Sequence, residues 1–197
     1  MAGSAADAGK RESFVAALVQ MRSGRDVETN LAEADRLIRE AASRGAKYVQ
    51  TPENTLLMER ETSALFEKIA PEEQTAAIPH FLSLAQELGI WLHIGSIAVV
   101  TGEGRAANRA FLFSPEGRIA ARYDKIHMFD VTLPSGETYR ESKVYQPGSV
   151  AVLAALPWGE LGITTCYDLR FPEQYKALAQ AGADFLAVPS AFTKQTG

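Results

Sequence analysis

Apolar and polar positions alternate along this chain with two different periods, and the switches between them mark its elements. Residues 14–19 (FVAALV) form a short apolar run ended by polar Gln20, the pattern of a strand buried on both faces. Val27, Leu31, Ala34, Leu37, Ile38, Ala41 and Ala42 then recur at steps of three and four. That spacing predicts a helix, with Asp26 as its N-cap and Gly45 just past its end. Residues 48–51 give a second short strand stopped by Pro52, so the opening unit reads β-α-β.

After a polar stretch over residues 59–75, helical spacing returns at 78–88, closes at Gly89, and is followed by a strand over 91–100. Apolar runs at 107–113 and 119–123 flank Ser114-Pro115-Glu116-Gly117, a turn sequence that predicts an antiparallel hairpin. A second hairpin is expected from residues 150–156 and 161–165 around Pro157-Trp158-Gly159. Pro172 opens a helix reaching about residue 181, and 184–188 reads as a last strand. Residues 124–148, rich in Pro, Gly and Ser, keep no period and are expected to form one long loop, functional or disordered. The whole reads as a mixed α/β fold, a sheet core covered by helices.

Composition narrows the class. A length of 197 residues with 46% hydrophobic side chains suits one domain with a real core. Twenty basic residues against 24 acidic ones, in no long run of one sign, argue against a nucleic-acid partner. No stretch approaches 18 apolar residues and the first 13 lack the apolar run of a signal peptide, so no membrane contact is expected and the cytoplasm is the expected compartment. Residues 1–12 are expected to be a disordered tail before a domain over 13–197. The three histidines, His80, His93 and His127, share no metal-ligand spacing with the acids or the thiol, so chemistry without metal or cofactor is expected.

Four polar positions stand where chemistry could occur. The single cysteine, Cys166, follows an apolar strand and precedes the helix opened by Pro172. Free N–H groups of such a turn, and any nearby ammonium, favour the thiolate, although a lone cysteine is more often a small buried hydrophobe. Glu53 lies just beyond the carboxyl end of the second strand, where open sheets collect ligands. It could be the thiol's base or an ordinary solvated acid. Lys125 and Glu141 open and nearly close the long loop; alone, either would be read as surface charge. Arg170 could clamp a substrate carboxylate, though an ion pair with Asp168 or Glu173 is the commoner use of such a residue. Phe129 and Phe192 could line a pocket, while Tyr145 and Trp158 read as packing residues.

Together these segments are specific. Gly162-Ile163-Thr164-Thr165-Cys166-Tyr167-Asp168-Leu169-Arg170-Phe171-Pro172-Glu173 resembles the nucleophile signature of the nitrilase, or carbon–nitrogen hydrolase, superfamily. Thr51-Pro52-Glu53-Asn54, the segment from Tyr123 through Lys125 to Asp130, and Tyr139-Arg140-Glu141-Ser142 resemble its other catalytic segments, in the family's order. The resemblance is strongest to Nit-type ω-amidases and deaminated-glutathione amidases. It implies a four-layer α-β-β-α sandwich and a Glu53, Lys125 and Cys166 triad assisted by Glu141, with the Tyr167 N–H as an oxyanion donor. The implied reaction is hydrolysis of a small linear amide through a thioester, in a homodimer or larger homo-oligomer. A nitrilase, an N-carbamoyl amidohydrolase, a family-like binding protein without activity and a thiol redox sensor remain the alternatives. Family members continue past Ser190-Ala191-Phe192 through a further helix and strands, so the fold is expected to be incomplete at its C-terminus.

Overall fold

The computed structural model describes residues 13–102 and 104–192; the expected N-terminal tail, residues 1–12, lies outside them. The β-α-β opening forms as the pattern requires: β1 (Ala16–Leu18), α1 (Val27–Ser43) and β2 (Tyr48–Gln50). Asp26 caps α1, accepting from the Thr29 N–H at 2.8 Å. A short helix α2 (Thr62–Phe66) and a 3-10 turn at Glu72–Gln74 occupy the polar stretch before α3 (Ala77–Leu88), which Gly89 closes with φ of 62°. Next come β3 (Trp91–Gly102), β4 (Arg105–Phe113) and β5 (Ile119–Asp124). These build one sheet in the order β1-β2-β3-β4-β5, parallel from β1 to β3 and antiparallel beyond.

The long loop is partly ordered, contrary to the sequence reading. It folds into β6 (Asp130–Thr132), β7 (Thr138–Arg140) and a 3-10 turn at Glu141–Lys143. The hairpin turns over Leu133 to Glu137, where the Gly136 N–H donates to the Leu133 carbonyl at 2.8 Å. Three-residue strands with no buried residue carry no inward apolar face, so hydrophobic alternation cannot reveal them. The second expected hairpin forms as β8 (Val152–Leu156) and β9 (Gly159–Ile163), joined in parallel by β10 (Phe185–Ala187), while α4 (Pro172–Gln180) links the last two.

Two cores define the layers. Ile38, Phe81 and Leu84 of the helices meet Val49, Leu92 and Phe111 of the first sheet, all buried. On the opposite face Ala110, Leu112 and Tyr123 meet Leu156, Leu161 and Ile163 of the second sheet. Leu178 of α4 lies over Gly162 on that sheet's far side, where a Cβ would stand 3.2 Å from it. The order is therefore α-β-β-α, the four-layer sandwich. Deleting a fully buried aromatic such as Phe81 by Phe81→Ala would cost about 3–5 kcal/mol. No described helix is long and apolar enough to cross a membrane.

Candidate active site

Both sheets deliver their functional side chains just beyond the strands, and each delivery needs an unusual backbone. Glu53 follows β2 in a loop whose next residue, Asn54, has φ of 54°. Cys166 opens a 3-10 turn, Cys166–Arg170, with φ of 49°. These are the two non-glycine residues with positive φ among those described. Asn tolerates this region; for Cys it costs about 1–3 kcal/mol and turns the side chain out of line with its strand. As the sequence reading has it, the helix opens at Pro172; the turn between it and the strand takes the form of this 3-10 segment.

Glu53, Lys125, Glu141 and Cys166 come together. Lys125, 2% exposed, donates from Nζ to Glu53 Oε1 at 2.9 Å and to Glu141 Oε1 and Oε2 at 3.1 and 2.9 Å. Glu141 Oε2 also accepts from the Phe129 N–H at 2.6 Å, which ties the base of the β6-β7 hairpin to the ion cluster. Glu53 Oε2 accepts from the Ala191 N–H at 3.0 Å. Burial disfavours the Lys125 ammonium, but Glu53 and Glu141 outweigh it and hold its pKa above the ordinary lysine value.

The thiol departs from expectation. Burial first, and then the Glu53 carboxylate, push Cys166 up to about 12, against an opposing pull from Lys125. The resting group is therefore a neutral thiol rather than the thiolate read from the turn. The reason is burial of the sulfur, reinforced by the Glu53 carboxylate, and the adjacent Lys125 ammonium does not offset the two. A sulfur in this state needs its proton removed as it reacts.

Cys166, Glu53 and Lys125 line a cavity of about 630 Å³, so the sulfur is within reach of a small molecule. Phe129, Tyr167, Arg170 and Phe192 line it too, as does Tyr145, which the sequence reading took for packing. Trp158 does pack, its ring stacked on Phe14 at 4.0 Å. Arg170 forms neither expected ion pair. Asp168 is taken by Tyr123 Oη at 2.6 Å, His127 Nδ1 at 2.8 Å and the His127 and Thr165 N–H groups at 3.0 and 2.8 Å. Among the described residues Arg170 thus has no acidic partner, whereas the cavity-lining Arg25 and Arg60 lie 3.5 and 3.6 Å from Glu59 and Glu137. Among the same residues no three potential metal ligands converge.

Two contributors escaped the sequence reading. Asn108 on β4 donates to Glu53 Oε1 at 3.0 Å and to Glu141 Oε1 at 3.3 Å. Its signal is a polar residue flanked by Ala106 and Ala110 on an otherwise apolar face of the strand. Gly95 sits at the β3 irregularity, where a Cβ would meet the Thr51 carbonyl at 2.3 Å and Pro189 at 2.5 Å. Only glycine lets the Glu53 loop and the Pro189 to Ala191 loop close on β3 together.

The profile of the carbon–nitrogen hydrolase family matches residues 15–197. The chain is 40% identical over 185 residues to a deaminated glutathione amidase of Yersinia enterocolitica, covering 92% of this chain and 64% of that protein. It is 36% identical over 187 residues to omega-amidase NIT2 of Homo sapiens, covering 94% of this chain and 66% of that one. It thus spans about two thirds of the length of these curated relatives. Its fold superposes on the crystal structure of the C. elegans NitFhit protein with a TM-score of 0.79 at 26% identity, covering 90% of this chain and 44% of that one. With nearly its whole length matched by the family profile and its fold shared with a Nit-type structure, the chain belongs to the carbon–nitrogen hydrolase family.

Proposed function

We propose that this protein hydrolyses a small linear carboxamide bearing a carboxylate, such as the ω-amide of a keto acid or deaminated glutathione, releasing ammonia through a thioester on Cys166. The observation that carries the reading is the state of Glu53. A carboxylate has about four in-plane acceptor sites; Asn108 and Lys125 fill those of Oε1, and the Ala191 N–H fills one on Oε2. The remaining site on Oε2 is left for the neutral thiol beside it.

In this reading Glu53 takes the Cys166 proton as sulfur bonds to the amide carbon. The carbonyl oxygen becomes an oxyanion, met by Lys125 and the Tyr167 N–H. That N–H suits the role because its neighbours are committed: Thr165 N–H to Asp168, Cys166 N–H to the Pro189 carbonyl and Asp168 N–H to the Thr165 carbonyl. When the carbon–nitrogen bond breaks, Glu53 returns the proton and ammonia departs, leaving the thioester. Glu53 then takes a proton from water, whose oxygen adds to the thioester carbon; as the carbon–sulfur bond breaks Glu53 gives that proton to the departing sulfur, restoring the thiol and the carboxylate, and the acid is released. Glu141 keeps Lys125 in place and assists the water. No step calls for a metal or cofactor.

Arg170 supports a carboxylate on the substrate, since it brings an unneutralised guanidinium to the cavity wall. Phe129 and Phe192 then flank the apolar stem between the two ends. The names of the relatives support the amide class over nitriles and carbamoyl compounds. Residues 13–197 are read as a single hydrolase domain that acts in the cytoplasm as a homo-oligomer. Ammonia release is the test: faster release from carboxylate-bearing ω-amides than from matched nitriles and N-carbamoyl compounds is expected. Preferential turnover of either other class would overturn the substrate reading.

A further inference from the structure

Resting on that reading of Glu53 as the base, we propose that Asn108 is a positioning residue that sets which oxygen of Glu53 meets the thiol. Four atoms form a closed ring. Lys125 Nζ and Asn108 Nδ2 each bridge Glu53 Oε1 and Glu141 Oε1, at 2.9 and 3.1 Å for the lysine and 3.0 and 3.3 Å for the asparagine. A primary amide has two N–H bonds, and here each goes to a different carboxylate. Asn108 also fixes the lysine from behind, because its main-chain carbonyl accepts the Lys125 N–H at 3.0 Å.

Charge explains why an amide stands at this corner. The two acids and Lys125 sum to one excess negative charge, which is what a base about to accept a proton must carry. A second cation would cancel that charge, and a third acid would repel the other two. An amide adds donors and leaves the sum unchanged. It also keeps Oε1 occupied from both sides, so that the spare acceptor capacity lies on Oε2.

Packing does not explain the residue. Asn108 is 2% exposed and stands on an apolar strand face, behind the carboxylates and off the cavity wall. Its Oδ1 is buried with no partner. An apolar residue there would avoid that orphan carbonyl, so the donors are the reason for an amide.

The test uses the full chain and its one thiol, so it needs no turnover. Acrylamide is the probe: sulfur bonds to its terminal carbon, the double bond opens, and the thiol proton, taken by Glu53, ends on the inner carbon. Addition to Cys166 is followed by intact mass against pH in the parent, Asn108→Ser, Asn108→Leu and Asn108→Asp, with a melting curve for each. The groups around Glu53 in this profile are Lys125, Glu141, Cys166 and Tyr145.

Rates are expected to fall with the number of N–H or O–H donors kept, parent above Asn108→Ser above Asn108→Leu, the last by about tenfold. The acid limb is expected to move to higher pH in the same order. Asn108→Asp, which keeps the shape without the amide donors, is expected to be at least as slow as Asn108→Leu and serves if that variant does not fold. Parent-like rates, or rates that track melting temperature instead of donor number, would overturn the proposal. Glu53→Gln separates the two layers of inference: if it reacts like the parent, the reading of Glu53 as base fails. If it is slow while Asn108→Leu is not, the positioning role alone fails.

Discussion

Two carboxylates are buried within a few residues of the reactive groups, and they differ in what is left unfilled. Asp168 is fully buried and accepts four hydrogen bonds: two from His127, one from Tyr123 and one from Thr165. Every in-plane site is occupied and none faces the cavity. Glu53, 5% exposed, accepts three and has a fourth site without a protein hydrogen-bond donor on Oε2. The first joins the chain on either side of Lys125 to the turn that carries Cys166, acting as a strut. The second keeps acceptor capacity in reserve, which is what the proposed role as base requires. Burial alone does not tell the two apart; the count of empty acceptor sites does.

Substitutions at the two positions should separate accordingly, and the largest effect belongs to the reaction. Glu53→Gln keeps size but cannot take the proton, so acylation of Cys166 is expected to slow by about 10²–10⁴-fold, with a stability loss smaller than that of Asp168→Asn because it faces three donors rather than four. Rapid-quench mass spectrometry of the acyl adduct checks this. Asp168→Asn puts N–H groups against donors in a closed site and is expected to lose about 3 kcal/mol of stability, read by urea unfolding. A larger effect on stability at Glu53 than at Asp168 would erase the distinction.

Arg170→Ala is expected to raise KM about tenfold for amides carrying a carboxylate, and to leave neutral amides of similar size unaffected. A smaller effect follows from the thiol itself. Cys166 titrates near 12 in the folded chain against an ordinary 9.0. The proton is thus held more tightly when folded, and the resulting stability is present below pH 9 and lost as pH rises toward 12. Cys166→Ala should lose less stability than the parent across that window in urea titrations at fixed pH.

Much of this was legible in the sequence because some segments signal strongly. The helix after Asp26 repeats its apolar face over 17 residues, and the first hairpin is punctuated by Pro115 and Gly117. The gathering of Glu53, Lys125, Glu141 and Cys166 was not legible from periodicity; it came from the resemblance of four separated segments to one family. The β6-β7 hairpin was missed because its short strands bury nothing. Gly95 and Asn108 were missed because their importance lies in what approaches them from elsewhere in the chain, and spacing along one strand does not record that. The thiolate expectation failed for a related reason: the turn is local and visible, while the burial and the Glu53 carboxylate that keep the proton on sulfur come from distant parts of the chain.

The central claim, that Cys166 attacks an amide with Glu53 as its base, is tested most directly by intact-protein mass spectrometry after mixing the chain with the ω-amide of a keto diacid. An acyl adduct on Cys166 in the parent, absent in Cys166→Ala and strongly delayed in Glu53→Gln, is the expected result. An unmodified thiol in a folded chain throughout the time course, or an adduct that forms equally fast in Glu53→Gln, would contradict it.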